Sequence, residues 1–404
     1  MSLALRRWWR DAGPGWLVTA AFVGPGTVTS ATVAGARFGT ALLWTLLFST
    51  AATIVLQEMS ARLGLVTGDG LGEAIRRRYA GAARVAAIAL VIGAIAIGNA
   101  AYETGNLMGA ALGLEELGPL SLRAWALGTA AAAALLLWTG SYRAVERTMI
   151  ALVVVMGIAF AATAIVLLPD VAGLARGLFV PTLPPGSTLT AIALIGTTVV
   201  PYNLFLHAAT VREKWAGVVD LPAARRDLTL SIACGGALSV AIVVTAAATL
   251  RGAGDVVSAA DMARQLEPTL GPWATALFAI GLAAAGVTSA ITAPLAAAYA
   301  TAGAFGWPRD LKASRVRAVW ALVLLAGAAF AAAGVRPVPA ILFAQAANGV
   351  LLPAVAIFLL LVVNDRRSMG GHANGSVANL LGGLVVAATL LLGARAVLGA
   401  LGVL

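Results

Sequence analysis

The tetrapeptide Gly-Pro-Gly-Thr at residues 24–27 interrupts an apolar run that extends from residue 16 to residue 37. A second apolar run, residues 188–210, is interrupted in the same way by Val-Pro-Tyr-Asn at residues 200–203. A proline inside a helix removes a backbone donor and clashes with the preceding turn. Lipid cannot replace that hydrogen bond, so unwound backbone within a membrane must face protein or a watery cavity. We expect both runs to be helices that unwind near these prolines; two simple proline kinks in packed helices are the alternative.

Composition places the chain in a membrane. Hydrophobic residues make up 60% of its 404 residues and charged residues only 11%, and the mean hydropathy is +0.93. Soluble domains are about half apolar and a quarter charged, so a soluble enzyme is excluded, and we expect neither enzymatic activity nor a cofactor. The net charge of +10 does not indicate nucleic acid, because the basic residues lie in short loops between apolar runs. The single cysteine, Cys234, lies inside an apolar run and allows no intramolecular disulfide.

Runs of about 20 apolar residues are long enough to cross the hydrocarbon core of a bilayer. The first run follows basic residues but shows no convincing cleavage site, so we interpret it as a retained span rather than a signal peptide. The sequence predicts eleven spans, at residues 15–38, 41–63, 85–112, 122–139, 147–168, 188–211, 227–250, 271–303, 316–334, 338–363 and 377–400.

The distribution of basic residues predicts the orientation of these spans. With the N-terminus inside, most of the 27 lysines and arginines fall in inner loops, which is the positive-inside pattern. The inner set is Arg6, Arg7, Arg10, Arg62, Arg76, Arg77, Arg78, Arg84, Arg143, Arg147, Arg212, Lys214, Arg225, Arg226, Arg309, Lys312, Arg315, Arg317, Arg366 and Arg367. We expect a multi-pass protein of a bacterial inner membrane, with its N-terminus cytoplasmic and its C-terminus outside.

The first ten spans form two halves of five, and because five is odd the two halves have opposite orientation in the membrane. Spans 1–5 occupy residues 15–168, spans 6–10 occupy residues 188–363, and an eleventh helix follows at 377–400. Each half opens with a broken helix, which is the inverted-repeat plan of the LeuT type. The expected fold is an all-α membrane protein with one domain, residues 1–404, and a substrate site between the two breaks.

Four motifs carry a resemblance to a known family. They are Ala-Gly-Ala-Arg-Phe-Gly at 34–39, Gln-Glu-Met-Ser-Ala-Arg-Leu-Gly at 57–64, Val-Pro-Tyr-Asn-Leu-Phe-Leu-His at 200–207 and Phe-Ala-Gln at 343–345. Their spacing resembles the corresponding motifs of the Nramp family of proton-coupled divalent-metal transporters, over about residues 14–365. The resemblance implies secondary transport, with helices 1 and 6 broken around the substrate.

The chain departs from the family where the family binds its metal. The family's first break reads Asp-Pro-Gly-Asn, and here Gly24 and Thr27 stand for the aspartate and the asparagine. Val200 stands for the family's methionine and Tyr202 for the histidine after the proline, while Thr197 matches a small residue that offers a carbonyl. Thioether sulfur favours transition metals, whereas Mg²⁺ prefers oxygen. Every side-chain ligand of the family site is thus replaced, and we predict no metal site.

The residues predicted to bind the substrate lie at the two breaks and in span 10. Carbonyl and hydroxyl groups at the breaks would suit a small polar or weakly cationic solute. In span 10 two amides share one helix face, where hydrogen bonding between helices is the alternative role. Tyr202 either contacts the substrate or fills the space of the histidine, and Asn203 is expected to satisfy freed backbone groups. The predicted set is Gly24, Thr27, Thr197, Val200, Tyr202, Asn203, Gln345 and Asn348.

Glu103 is predicted to couple protons or charge to transport. It is the carboxylate placed deepest within a span, and ionisable groups there are commonly functional. Asn99 and Asn106 share its helix face at spacings of four and three, and His207 could sense pH. The family carries a glutamate at this position, but Ala100 replaces its companion aspartate. A structural glutamate bonded to the unwound backbone of helix 1 is the alternative.

Three functions remain open at this stage. The first is a secondary transporter, a symporter that moves a small polar or cationic solute by alternating access. The second is a proton-coupled transporter of Mg²⁺ or Mn²⁺, which the family resemblance implies. The third is a sensor or scaffold that does not transport. The sequence contains no nucleotide-binding motif, and we expect a monomer whose partners are the solute or ion and the lipid bilayer, with no nucleic acid.

Overall fold

The computed structural model describes residues 13–140, 143–167, 170–252, 254–308 and 310–401. Within these ranges the chain is helical and contains no β-strand. Arg6, Arg7, Arg10 and Arg309, which contribute to the predicted positive-inside pattern, lie outside the described residues.

Eighteen α-helices, joined by short turns and 3₁₀ segments, make up the described chain. In order they are α1 (Pro14–Phe22), α2 (Pro25–Phe38), α3 (Leu43–Thr67), α4 (Leu71–Arg78), α5 (Gly81–Glu115), α6 (Leu122–Thr139), α7 (Arg143–Leu167), α8 (Val171–Phe179), α9 (Thr188–Thr198), α10 (Pro201–Thr210), α11 (Leu221–Thr249), α12 (Ala259–Ala263), α13 (Glu267–Leu270), α14 (Ala274–Phe305), α15 (Ser314–Ala332), α16 (Pro337–Val363), α17 (Arg366–Met369) and α18 (Ser376–Ala400).

Length and composition agree with the predicted spans. In the described part of the chain, nine helical segments are long and apolar enough to cross a membrane, and the bent pair α1–α2 makes a tenth. Helix α3 has 25 residues, but its threonines together with Gln57 and Glu58 lower its mean hydropathy. Counting α3 by its length gives the eleven spans expected from the sequence.

Both predicted breaks exist, but each lies just before its proline rather than around it. Helix α1 ends at Phe22 and α2 begins at Pro25, with a bend of 53° between them. Helix α9 ends at Thr198 and α10 begins at Pro201. A proline fits the first position of a helix, where its missing N–H would have no partner in any case. The expectation that the chain unwinds over residues 24–27 and 197–202 was therefore too broad. Only residues 23–24 and 199–200 lie outside the helices.

Helix α5 packs against α14, α15 and α16 and also contacts α2. Small residues allow these close approaches. A Cβ built on Gly109 would lie 2.1 Å from the Cβ of Pro25, and one built on Gly286 would lie 2.5 Å from the Cβ of Ala110. Glycine at these positions therefore brings α5 against both the first break and α14.

A carboxylate holds the beginning of α1 against α11. Asp227 accepts hydrogen bonds from the backbone N–H groups of Gly13 at 2.8 Å and Gly15 at 2.9 Å. The first N–H groups of a helix have no partner within the helix and carry partial positive charge. Asp227 satisfies them and fixes the position of the half-helix that leads to the first break.

Candidate functional site

The two breaks lie side by side and are joined by threonine hydroxyls. The Oγ1 atoms of Thr27 and Thr197 are 2.8 Å apart, and both side chains are fully buried. The Thr27 hydroxyl also lies against the carbonyl oxygen of Phe22, the last residue of α1. The structure thus brings together these two residues of the predicted substrate site, one from each half of the chain.

A second set of hydrogen bonds at the first break is accepted by the backbone carbonyl of Ala21. Its helical partner four residues later would be Pro25, which has no N–H to donate. The hydroxyls of two tyrosines donate to it instead, Tyr102 at 3.1 Å and Tyr202 at 3.4 Å. The tyrosine rings meet edge to face, with centroids 5.6 Å apart. Tyr202 belongs to the predicted set, whereas Tyr102 on α5 was not predicted.

Gln345 on α16 lies directly against the second residue of α2. A Cβ built on Gly26 would lie 2.2 Å from Nε2 of Gln345, so only glycine lets the amide reach this backbone. The Gln345 side chain is fully buried, and neither amide atom has a hydrogen-bond partner among the described residues. Buried polar groups usually have partners, which makes this amide a candidate for binding a ligand.

Ser289 on α14 also lies against the first break and, like Tyr102, was not predicted from the sequence. Its Oγ would lie 2.9 Å from a Cβ built on Gly24 and has no hydrogen-bond partner in the described part of the chain. Nothing in the sequence distinguishes Ser289 from other small polar residues of an alanine-rich helix. Tyr102 offers a weak signal only, because it is adjacent to Glu103.

The remaining predicted substrate residues are buried near the second break and on α16. Val200 precedes Pro201 as the first flanking residue of α10 and packs in an apolar cluster with both site tyrosines. Asn203 is buried, and neither of its amide atoms has a partner in the described ranges. The Oδ1 of Asn348 faces α5, where it would lie 3.1 Å from a Cβ built on Gly98. The expected bond from Asn203 to freed backbone is not formed in this structure.

Glu103 is fully buried on α5 but faces α15. A Cβ built on Gly327 would lie 2.7 Å from the Cγ of Glu103. Asn106 donates to Oε2 of Glu103 at 3.3 Å, while Oε1 has no partner among the described residues. Asn99, on the same helix, donates instead to the carbonyl of Ala293 at 3.3 Å. The alternative was a glutamate hydrogen-bonded to the unwound backbone of helix 1. No such bond forms among the described residues.

His207 lies away from the breaks, against α3. Its Nδ1 is 3.0 Å from Oε1 of Gln57, and the ring is buried. This contact joins α10 to α3, so it fits a helix contact at least as well as a pH sensor.

The site between the breaks is lined by uncharged groups. They are carbonyl and hydroxyl oxygens and the carboxamide of Gln345. Gly24 stands at the position where the family carries its aspartate. Among the described residues no group of three or more His, Cys, Asp or Glu side chains could hold a metal ion. Such a lining offers both donors and acceptors, and it offers a cation oxygen ligands without offsetting its charge.

Comparisons with known proteins place this geometry in a family. Residues 15–399 match the family model described as "Natural resistance-associated macrophage protein-like". A divalent metal cation transporter, MntH, from Bradyrhizobium diazoefficiens is 31% identical, covering 97% of this chain and 91% of the relative. The MntH of Bacillus subtilis is 29% identical, covering 94% of this chain and 91% of the relative.

Solved structures share the fold. The manganese transporter of Eremococcus coleocola, in complex with an aromatic bis-isothiourea compound, superposes with a TM-score of 0.77 at 20% identity, covering 97% of this chain and 87% of that chain. MhsT, in complex with L-phenylalanine, superposes with a TM-score of 0.65 at 15% identity, covering 95% of this chain and 98% of that chain.

The fold and the paired broken helices define a multi-pass membrane protein with a LeuT-type inverted repeat. The chain belongs to the Nramp family. Both expectations drawn from the sequence, the fold class and the family resemblance, are confirmed.

Proposed function

We propose that the chain transports a divalent metal cation across a bacterial inner membrane by alternating access, with its N-terminus in the cytoplasm and without enzymatic activity. The proposal is supported by the relatives, which are divalent metal cation transporters and match nearly the whole chain. It reverses the order of the sequence-based hypotheses, in which a small polar solute came first.

The observation that carries the proposal is the pair of oxygen groups at the breaks. The Thr27 and Thr197 hydroxyls touch at 2.8 Å, and the Thr27 hydroxyl lies against the carbonyl of Phe22, the last residue of the first half-helix. Hard cations such as Mg²⁺ accept oxygen ligands and usually keep several waters. A partly hydrated cation would need fewer charged ligands than a dehydrated one, so we propose Mg²⁺ rather than Mn²⁺ as the preferred cargo.

A small polar solute is the second candidate. The Gln345 amide and the Ser289 hydroxyl are buried without partners in the described residues, and together they offer donors as well as acceptors. A neutral solute with both kinds of group would satisfy them without bringing an uncompensated charge into the membrane.

Uptake into proteoliposomes tests the proposal. Purified protein is reconstituted, a pH gradient is imposed, and entry of Mg²⁺ and of Mn²⁺ is followed with trapped fluorescent indicators. We expect saturable uptake above that of protein-free liposomes, with Mg²⁺ preferred, and proton movement that an internal pH dye reports. If folded protein takes up no divalent cation, the proposal fails. The polar-solute candidate and the non-transporting sensor or scaffold then remain.

A further inference from the structure

Two tyrosine hydroxyls donate hydrogen bonds to a backbone carbonyl that has no helical partner at the first break. Tyr102 donates to the Ala21 carbonyl at 3.1 Å and Tyr202 donates to it at 3.4 Å. The two side chains come from different helices, α5 and α10, and both are buried, at 0% and 1% exposure. A carbonyl oxygen has two lone pairs, and here both have a donor.

The cause of this arrangement lies in the chain itself. Pro25 cannot donate to Ala21, so the carbonyl needs another partner because a buried polar group without one is costly. Gly24 has no side chain that could supply it. The tyrosines therefore satisfy the one carbonyl that the proline frees beside the proposed site.

We propose that Tyr102 and Tyr202 form a hydroxyl cap over the Ala21 carbonyl, and that the cargo must displace this cap to bind. The cap sets the selectivity of the site, because a cargo gains the carbonyl only if it outcompetes two donors. The nature of the cargo rests on the proposed function, but the existence and the opening of the cap do not.

The position of the cap supports a role in binding rather than in packing alone. The Oη of Tyr102 would lie 3.7 Å from a Cβ built on Gly24, and the unpartnered Oγ of Ser289 would lie 2.9 Å from the same point. Tyr202 is the residue directly after Pro201. The cap thus joins the end of α1 to α5 and α10, and losing it would loosen the end of α1.

Alkylation of an introduced cysteine tests the opening of the cap without any cargo. Cys234 is the only cysteine, so in a Cys234→Ser background Ser289→Cys is the single reporter thiol. The substitution breaks no hydrogen bond, because the Ser289 hydroxyl has no partner among the described residues. In metal-free proteoliposomes, a small water-soluble methanethiosulfonate reagent should modify the reporter faster when Tyr102→Phe or Tyr202→Phe is added. A lost hydrogen bond corresponds to roughly a 2- to 10-fold change in an equilibrium, and the double variant should change most.

A control and a second measurement separate the cap from a general loss of packing. Tyr79→Phe removes a tyrosine hydroxyl at the end of α4, keeps the ring that packs edge to face on Phe358, and should leave the reporter unchanged. Mg²⁺ affinity, measured by protection of the reporter, should rise by a similar factor in the Tyr→Phe variants, which destabilisation alone would not produce. Reporter rates that are unchanged in the double variant would overturn the cap. A wild-type protein that takes up no Mg²⁺ would overturn the proposed cargo but not the alkylation result.

Discussion

The hydroxyls of Thr27 and Thr197 lie 2.8 Å apart although 170 residues separate them in the chain. This contact joins the two broken helices at the level of their breaks. It connects the two halves of the inverted repeat directly, because each threonine lies in the opening helix of one half.

Thr197→Val should weaken this junction. The variant keeps the volume of the side chain but removes the hydroxyl, so the free energy of unfolding should fall by about 1 kcal/mol. Cation affinity should fall as well, because an oxygen ligand is lost at the site. Thr301→Val is a matched control, since among the described residues the Thr301 hydroxyl bonds only to the carbonyl of Ala297 in its own helix. Thermal unfolding in detergent and Mg²⁺ uptake measure the two effects, and equal losses of uptake in both variants would argue against a special role for Thr197.

Gly196→Ala should block the approach of α16 to α9. A Cβ at this position would lie 2.0 Å from the backbone oxygen of Gln345, and backbone cannot move away as a flexible side chain can. Overpacking of this kind typically costs about 1–3 kcal/mol, and it should displace Gln345 from Gly26. Gly383→Ala on α18 is the control, because a Cβ there meets nothing within 4 Å. Loss of thermal stability and uptake is expected in the first variant only; normal behaviour of Gly196→Ala would contradict the packing described here.

Glu103→Gln tests the proton-coupling hypothesis. Glutamine keeps the shape and can still accept from Asn106, but it cannot ionise. We expect folding to be preserved and concentrative, gradient-driven uptake to be lost. Glu115→Gln, at the exposed end of the same helix, should transport normally. Wild-type uptake and an unchanged pH profile in Glu103→Gln would make Glu103 a structural residue.

Asp227→Ala should free the first turn of α1. The substitution removes both acceptors of the Gly13 and Gly15 N–H groups, and caps of this kind contribute about 1 kcal/mol. Hydrogen–deuterium exchange over residues 13–22 should therefore become several-fold faster, in line with that free energy. Asp255→Ala breaks an exposed pair with Arg37 and should leave this exchange unchanged, because exposed ion pairs contribute little. Equal protection in both variants would show that Asp227 does not hold α1.

Much of the fold could be predicted because membrane constraints act on local sequence. The spans follow from apolar runs, and the breaks follow from Pro25 and Pro201, whose missing donors are properties of the residue itself. The exact start of each half-helix was misjudged because proline initiates a helix more readily than it interrupts one.

The site was only partly predictable because its remaining members meet through tertiary packing. Tyr102 and Ser289 reach the first break only because α5 and α14 are brought there by glycine contacts, and no motif marks either residue. The alternative for Glu103 placed it against the unwound backbone of helix 1, but the α5 face that carries it packs on Gly327 of α15. Helix periodicity predicts which residues share a face, not which neighbour that face meets.

The most direct test of a site built from uncharged oxygens is isothermal titration with Mn²⁺ of the purified wild type and of a Gly24→Asp variant in a Ser289→Ala background. Ser289→Ala makes room, because the Ser289 Oγ lies closest to a Cβ built on Gly24. We predict no micromolar binding by the wild type and an affinity increase of roughly tenfold or more in the variant, since the charge of the ligands tunes the affinity for divalent ions. Micromolar Mn²⁺ binding by the wild type, or no gain in a folded Gly24→Asp variant, would contradict the account.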